Sequence, residues 1–194
     1  MRIGIALNEV MRDFIGQFAY TYSKYKKKEI DLKKNPVKTW DLLKYFEFND
    51  MAELNHFLYT EASLEVFGHA DQLHENVVTK FNTFVDNIMD EEEHDVILIS
   101  REGGRSIPAT LFFLSKLGFA GNNIKFVTDY AKKWDDLDIL ITANPTTLEA
   151  KPEGKISVKV KASYNENVKA DYELDSIISL FEDEELLEKI INND

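Results

Sequence analysis

Arg2-Ile3-Gly4-Ile5-Ala6-Leu7, leading directly into Asn8-Glu9-Val10, decides the fold. The run is apolar, includes small residues and stops on a polar pair, as a short buried strand does. Further along, Asp95-Val96-Ile97-Leu98-Ile99-Ser100 has the same character behind an acidic stretch. A continuous apolar run without alternation is buried on both faces, as in the centre of a parallel sheet. Ile124 to Thr128, Asp138 to Thr142 and Ile156 to Val160 read as three further strands.

Helical patterns separate these strands. Phe14, Phe18, Tyr22 and Tyr25 recur at helical spacing, which predicts a helix from about Met11 to Lys26. Residues from about Thr39 to Met89 read as mostly helical, with Phe81, Phe84, Val85 and Ile88 on one face of the last helix. Ser106 is the expected N-cap of a helix with Pro108 in its first turn, and Gly118 its terminator. Asn144-Pro145 reads as the cap and first turn of a short helix. Two helices near Asp175 and from about Asp183 close the chain, the acidic start of the second suiting its dipole.

Strands alternating with helices imply an α/β fold, a parallel sheet with helices on both faces. The block after the first strand is too long for a simple crossover and reads as an insertion over the strand ends. Ligands of such sheets bind at the carboxyl ends of the strands. Any site is therefore expected just after Leu7, Ile99, Val127 and Ile141.

Composition narrows the partners. The chain has 194 residues, 44% of them hydrophobic, enough for one sizeable core and a small subdomain. It has no cysteine, hence no disulfide, thiolate metal site or thiol nucleophile. No apolar run is long enough to span a bilayer, so no membrane role is expected, and the cytoplasm is the default location. The net charge of −12 disfavours direct nucleic-acid binding. The charge is uneven. Lysines crowd the stretch from Lys24 to Lys38, and Glu182 to Glu185 are all acidic. Complementary ends of this kind suit a head-to-tail contact between copies. His56, His69, His74 and His94 lack metal-ligand spacing, and no metal or cofactor is expected.

At this point the residues resemble a family. Ile3 to Asp13 resembles the opening motif of the haloacid dehalogenase (HAD) phosphatases, an apolar strand followed by Asp-x-Asp; the subgroup it is most similar to is the 5′(3′)-deoxyribonucleotidase type, including phage-encoded versions. The strand ending in Ser100 resembles the second motif, Lys132 or Lys133 the third, and Asp138 to Pro145 the fourth. The resemblance implies a HAD-like core over residues 1–13 and 91–194 and a helical cap over 14–90.

The same resemblance places Ala6 where the family has its nucleophile and Asn8 where it has its acid–base Asp. Thr142 and Ala143 stand where it has metal-holding carboxylates. A methyl group cannot attack phosphorus, and Mg²⁺ wants carboxylates. Ala6, Asn8, Ser100, Lys133, Thr142 and Ala143 are thus expected as vestigial active-site positions, with no catalytic residue. Glu9 and Asp13 are the nearest stand-ins. Ser100, Arg101 and Lys133 are candidates for an anion pocket, the alternative being a strand end beside solvated cations. Gly103-Gly104-Arg105-Ser106 reads as a turn before a helix rather than a phosphate cradle. The expectation is a non-enzyme acting as a structural or assembly protein with protein partners, a homo-oligomer or larger assembly such as a tailed-phage virion in the host cytoplasm. The alternative is a nucleotide- or phosphate-binding protein or a residual nucleotidase.

Overall fold

In a computed structural model, which describes residues 1–90, 94–121 and 123–192, six strands form one all-parallel sheet. They are β1 (Arg2–Ala6), β2 (Asp95–Arg101), β3 (Ile124–Val127), β4 (Ile139–Thr142), β5 (Ile156–Val160) and β6 (Tyr172–Leu174), in the order β3-β2-β1-β4-β5-β6. The first five follow the apolar runs of the sequence. β1 lies between β2 and β4, and Ile3 and Ile5 have no exposed surface. Its register sets Ala6 opposite Ile99 and Ile5 opposite Ile141, so three strands end level with one another. β6 has no apolar run behind it. Asp171, just before it, accepts bonds from the Ser157 N–H and hydroxyl and from Lys151, which fastens this short edge strand to β5.

The first helix, α1 (Phe14–Lys26), begins later than its spacing predicts because Asp13 caps it, accepting from the Gly16 N–H at 2.8 Å. Met11 and Arg12 belong instead to a turn whose N–H groups bond the Leu7 carbonyl. The next block is less regular than a run of helices. A 3₁₀ turn (Leu42–Lys44) and α2 (Met51–His56) lead into two π-helical segments, Phe57–Glu61 and Leu64–Gly68, before α3 (Val77–Asp90). Its aromatics are core: the Phe18 and Phe46 rings lie 4.2 Å apart, and both are buried. α3 packs against β2 and α6 (Ile178–Glu182). The junction expected at residue 91 lies outside the described residues.

α4 (Ser106–Lys116) starts where predicted, but Ser106 is its first residue, not its cap. The Ser106 hydroxyl donates to the Gly103 carbonyl and accepts from the Gly103 N–H, closing the turn. α5 (Pro145–Glu149) has the expected cap, Asn144 accepting from the Thr147 N–H at 2.9 Å. α7 (Glu184–Asn192) closes the chain. Among the described residues no helix is long and apolar enough to cross a membrane.

Candidate active site at the carboxyl end of the sheet

The chain leaves β1 through a tight turn. The Met11 and Arg12 N–H groups both bond the Leu7 carbonyl, and the Glu9 N–H bonds the Arg12 carbonyl. Glu9 pays for this turn with a left-handed backbone, φ 60°. Non-glycine residues rarely adopt that region, and strained positions cluster at functional sites. The turn drives the Arg12 side chain inward, where it is fully buried.

Arg12 ties four pieces of chain together. Its Nε and Nη2 donate to Asn8 Oδ1 at 2.8 and 2.6 Å, and Nη2 also reaches Glu102 Oε1 at 2.6 Å. Its Nη1 donates to Thr110 Oγ1 at 2.7 Å and to the Phe67 carbonyl at 3.2 Å. Phe67 and Phe113 lie against the guanidinium. Burial lowers the Arg12 pKa, and the Glu102 carboxylate opposes that shift. Glu102 Oε1 also accepts from Ser100 and Thr110, while Oε2 is buried with no partner among the described residues.

The expected positions are therefore close together, but most already have partners. Ala6 is fully buried beside Asn8, whose amide oxygen faces the guanidinium. Ser100 donates to Glu102. Arg101 points elsewhere, donating to the Tyr59 hydroxyl and the Thr128 carbonyl. Lys133 is buried, and burial pulls its pKa down to about 8; Glu102 opposes the shift, while Arg101 and Arg12 add to it. Thr142 accepts from the Asn144 N–H, and the Ala143 carbonyl accepts from Asn165. Trp40 lies across the strand ends, donating to the Tyr130 hydroxyl at 3.1 Å and packing on the Tyr164 ring.

Mg²⁺, which the fold family implies, does not fit this donor set. The matched strand-end positions offer no carboxylate, and a guanidinium sits on the one amide oxygen available. Among the described residues no three or more His, Asp or Glu side chains are grouped to hold a metal.

A second group of acids opens to solvent at the exit of β1. Glu9 and Asp13 line one cleft of about 290 Å³ together with Val37, Ser163 and Tyr164. Glu9 Oε1 accepts from the Ile15 N–H at 2.7 Å. The residue keeps some exposure, yet its carboxyl is crowded, and burial raises its pKa to about 8. The Ile15 N–H works against that rise and the neighbouring Asp13 charge adds to it. Tyr164 is pushed well above its usual value by burial and by the same two acids.

Two of these features were not singled out from the sequence. Arg12 and Glu102 are ninety residues apart; Arg12 lies inside the stretch that resembles the opening motif but matches neither of its acids, and Glu102 lies just past the second motif. The available signal was weak: a lone arginine after the apolar pair Val10-Met11, and an acid two residues beyond a buried strand.

No protein-family model matches the chain, and no curated protein matches it. Among solved structures it is similar to a haloacid dehalogenase-like family hydrolase from Xanthomonas campestris, with a TM-score of 0.54 and 10% identity over 99% of this chain and 96% of that one. The fold is HAD-like. That finding corrects one expectation. The chain was expected not to be an enzyme, yet its fold is shared with a hydrolase. The physical reason is that Ala6 and Asn8 exclude a nucleophile and a proton carrier at two positions only. They do not exclude catalysis by the acids that the same turn presents nearby.

Proposed function

We propose that the chain is a hydrolase of the HAD-like fold in which Glu9, paired with Asp13, carries the proton that the family's motif acids would carry. The observation behind this reading is that both carboxylates line one cleft at the exit of β1, the end of the sheet where ligands bind. Held protonated to about pH 8, Glu9 suits a general acid. Water attacks phosphorus as the P–O bond to the leaving group breaks; the Glu9 proton goes to the leaving oxygen, and the proton lost by the water goes to the Asp13 carboxylate in the same cleft. Acid–base pairs of unequal carboxylates work in this way. The resemblance to deoxyribonucleotidases makes phosphate monoesters, deoxynucleoside monophosphates first, the substrate class to try.

The test is release of inorganic phosphate from such monoesters, with and without Mg²⁺, by the wild type and by Glu9→Gln. Loss of the general acid is expected to slow turnover about a hundredfold or more. No release by the wild type, or equal release by both proteins, overturns the reading. A second reading, a building block of a larger assembly such as a phage virion, is favoured by one observation: an exposed apolar groove beside α4.

A further inference from the structure

A groove of about 540 Å³ runs between α4 and the π-helical segments. Glu61, Leu64 and Glu65 form one wall, and Arg105, Pro108 and Phe112 the other. Leu64 and Phe112 are each 47% exposed, as is Leu111 beside them. Gly68 lies beneath both: a Cβ there would meet Leu64 Cδ1 at 2.7 Å and Phe112 Cδ1 at 3.2 Å. The missing side chain lets the two apolar residues close into one patch. Ser63 also lines the groove; it is 3% exposed, and its hydroxyl has no partner among the described residues. The Arg105 side chain has no hydrogen bond or ion pair among the described residues. Contiguous apolar surface rimmed by charge marks an interaction site, and π-helical turns recur at functional sites.

We propose that this groove is a self-association surface, on which a second copy of the chain docks about a two-fold axis running along the groove. The charges select that occupant. One wall is acidic and the other basic, and such an axis exchanges the walls. Each copy's Glu61 and Glu65 then face the other's Arg105, while Leu64 and Phe112 pack at the centre. A two-fold contact requires self-complementarity of this kind. The charged ends of the chain offer a weaker basis for association. Lys26, Lys28 and Lys34 are already ion-paired within their own chain, with Glu53, Glu47 and Asp31. The inference does not depend on the hydrolase reading.

The experiment is sedimentation velocity on the full chain over about 1–100 μM, where modest interfaces dissociate. A dimer is expected. Phe112→Glu should weaken it at least about tenfold, with an unchanged circular dichroism spectrum and melt showing that the fold is intact. Arg105→Glu alone, and Glu61→Arg with Glu65→Arg alone, should each weaken it as well, since both walls then carry one sign. Mixing the two charge variants should restore a dimer containing one copy of each. A wild type that stays monomeric throughout, a dimer indifferent to Phe112→Glu, or a mixture that does not pair overturns the proposal.

Discussion

Replacing Arg12 by methionine removes a guanidinium bonded to the half-buried Asn8 and, in the interior, to Glu102, Thr110 and the Phe67 carbonyl. Methionine fills much of the same volume, so the cavity left is small. The loss is chiefly electrostatic. Glu102 would stay buried with its Oε2 already unpartnered and only the Ser100 and Thr110 hydroxyls on Oε1. Breaking a buried ion pair from one side costs about 3–5 kcal/mol. The two remaining hydroxyls and the nearby Lys133 charge place the expected cost at the low end, about 3 kcal/mol. In a chain of this size that lowers Tm by about 6–12 °C. Urea denaturation and thermal melts followed by circular dichroism measure it. The double variant Arg12→Met with Glu102→Leu removes both members of the pair; the buried Lys133 loses Glu102 but also the repulsion of Arg12, so the variant should recover most of the loss, to within about 1 kcal/mol of the wild type. If Arg12→Met costs under about 1 kcal/mol, or the double variant is as unstable as the single, the pair does not hold the strand ends as argued.

Two further outcomes follow from the same turn and the one before α4. Between pH 4.5 and about 8 the folded chain keeps a proton on Glu9 that the unfolded chain releases. The stabilisation linked to that proton is present in full at low pH and lost as pH rises through about 8. Urea midpoints of the wild type should therefore fall relative to those of Glu9→Gln across that window; parallel curves would refute the shift. Gly104 has φ +53°, and a Cβ there would lie 2.8 Å from the Tyr59 carbonyl oxygen. Gly104→Ala should cost at least about 1–2 kcal/mol. Gly103→Ala, where a Cβ meets nothing within 4 Å, should stay within about 0.5 kcal/mol in the same denaturation assay.

Much of the frame was legible because burial leaves a one-dimensional trace. β1, β2 and β4 are apolar runs since both faces of a parallel sheet are covered, and β5 keeps Ile156, Val158 and Val160 in alternation with Ser157 and Lys159. Asn144-Pro145 announced its helix because a cap is a local bond, donated by the Thr147 N–H to the Asn144 side chain. β6 left no trace because three residues carry no period, and what holds them is Asp171 reaching back to Ser157. The π-helical segments were equally silent, since their side-chain pattern is that of an ordinary helix.

The sequence by itself determined which residues stand at the strand ends, including Ala6 and Asn8 where the resembling family has carboxylates. Only the tertiary structure decided what those ends do with the remaining charges. It set Arg12 against Glu102 in the interior, turned Glu9 and Asp13 into one cleft, and closed Leu64 against Phe112 over Gly68. Each of these depends on segments distant in sequence or on a side chain's direction out of a turn. Neither composition nor period encodes that, because burial and pairing are properties of the packed chain.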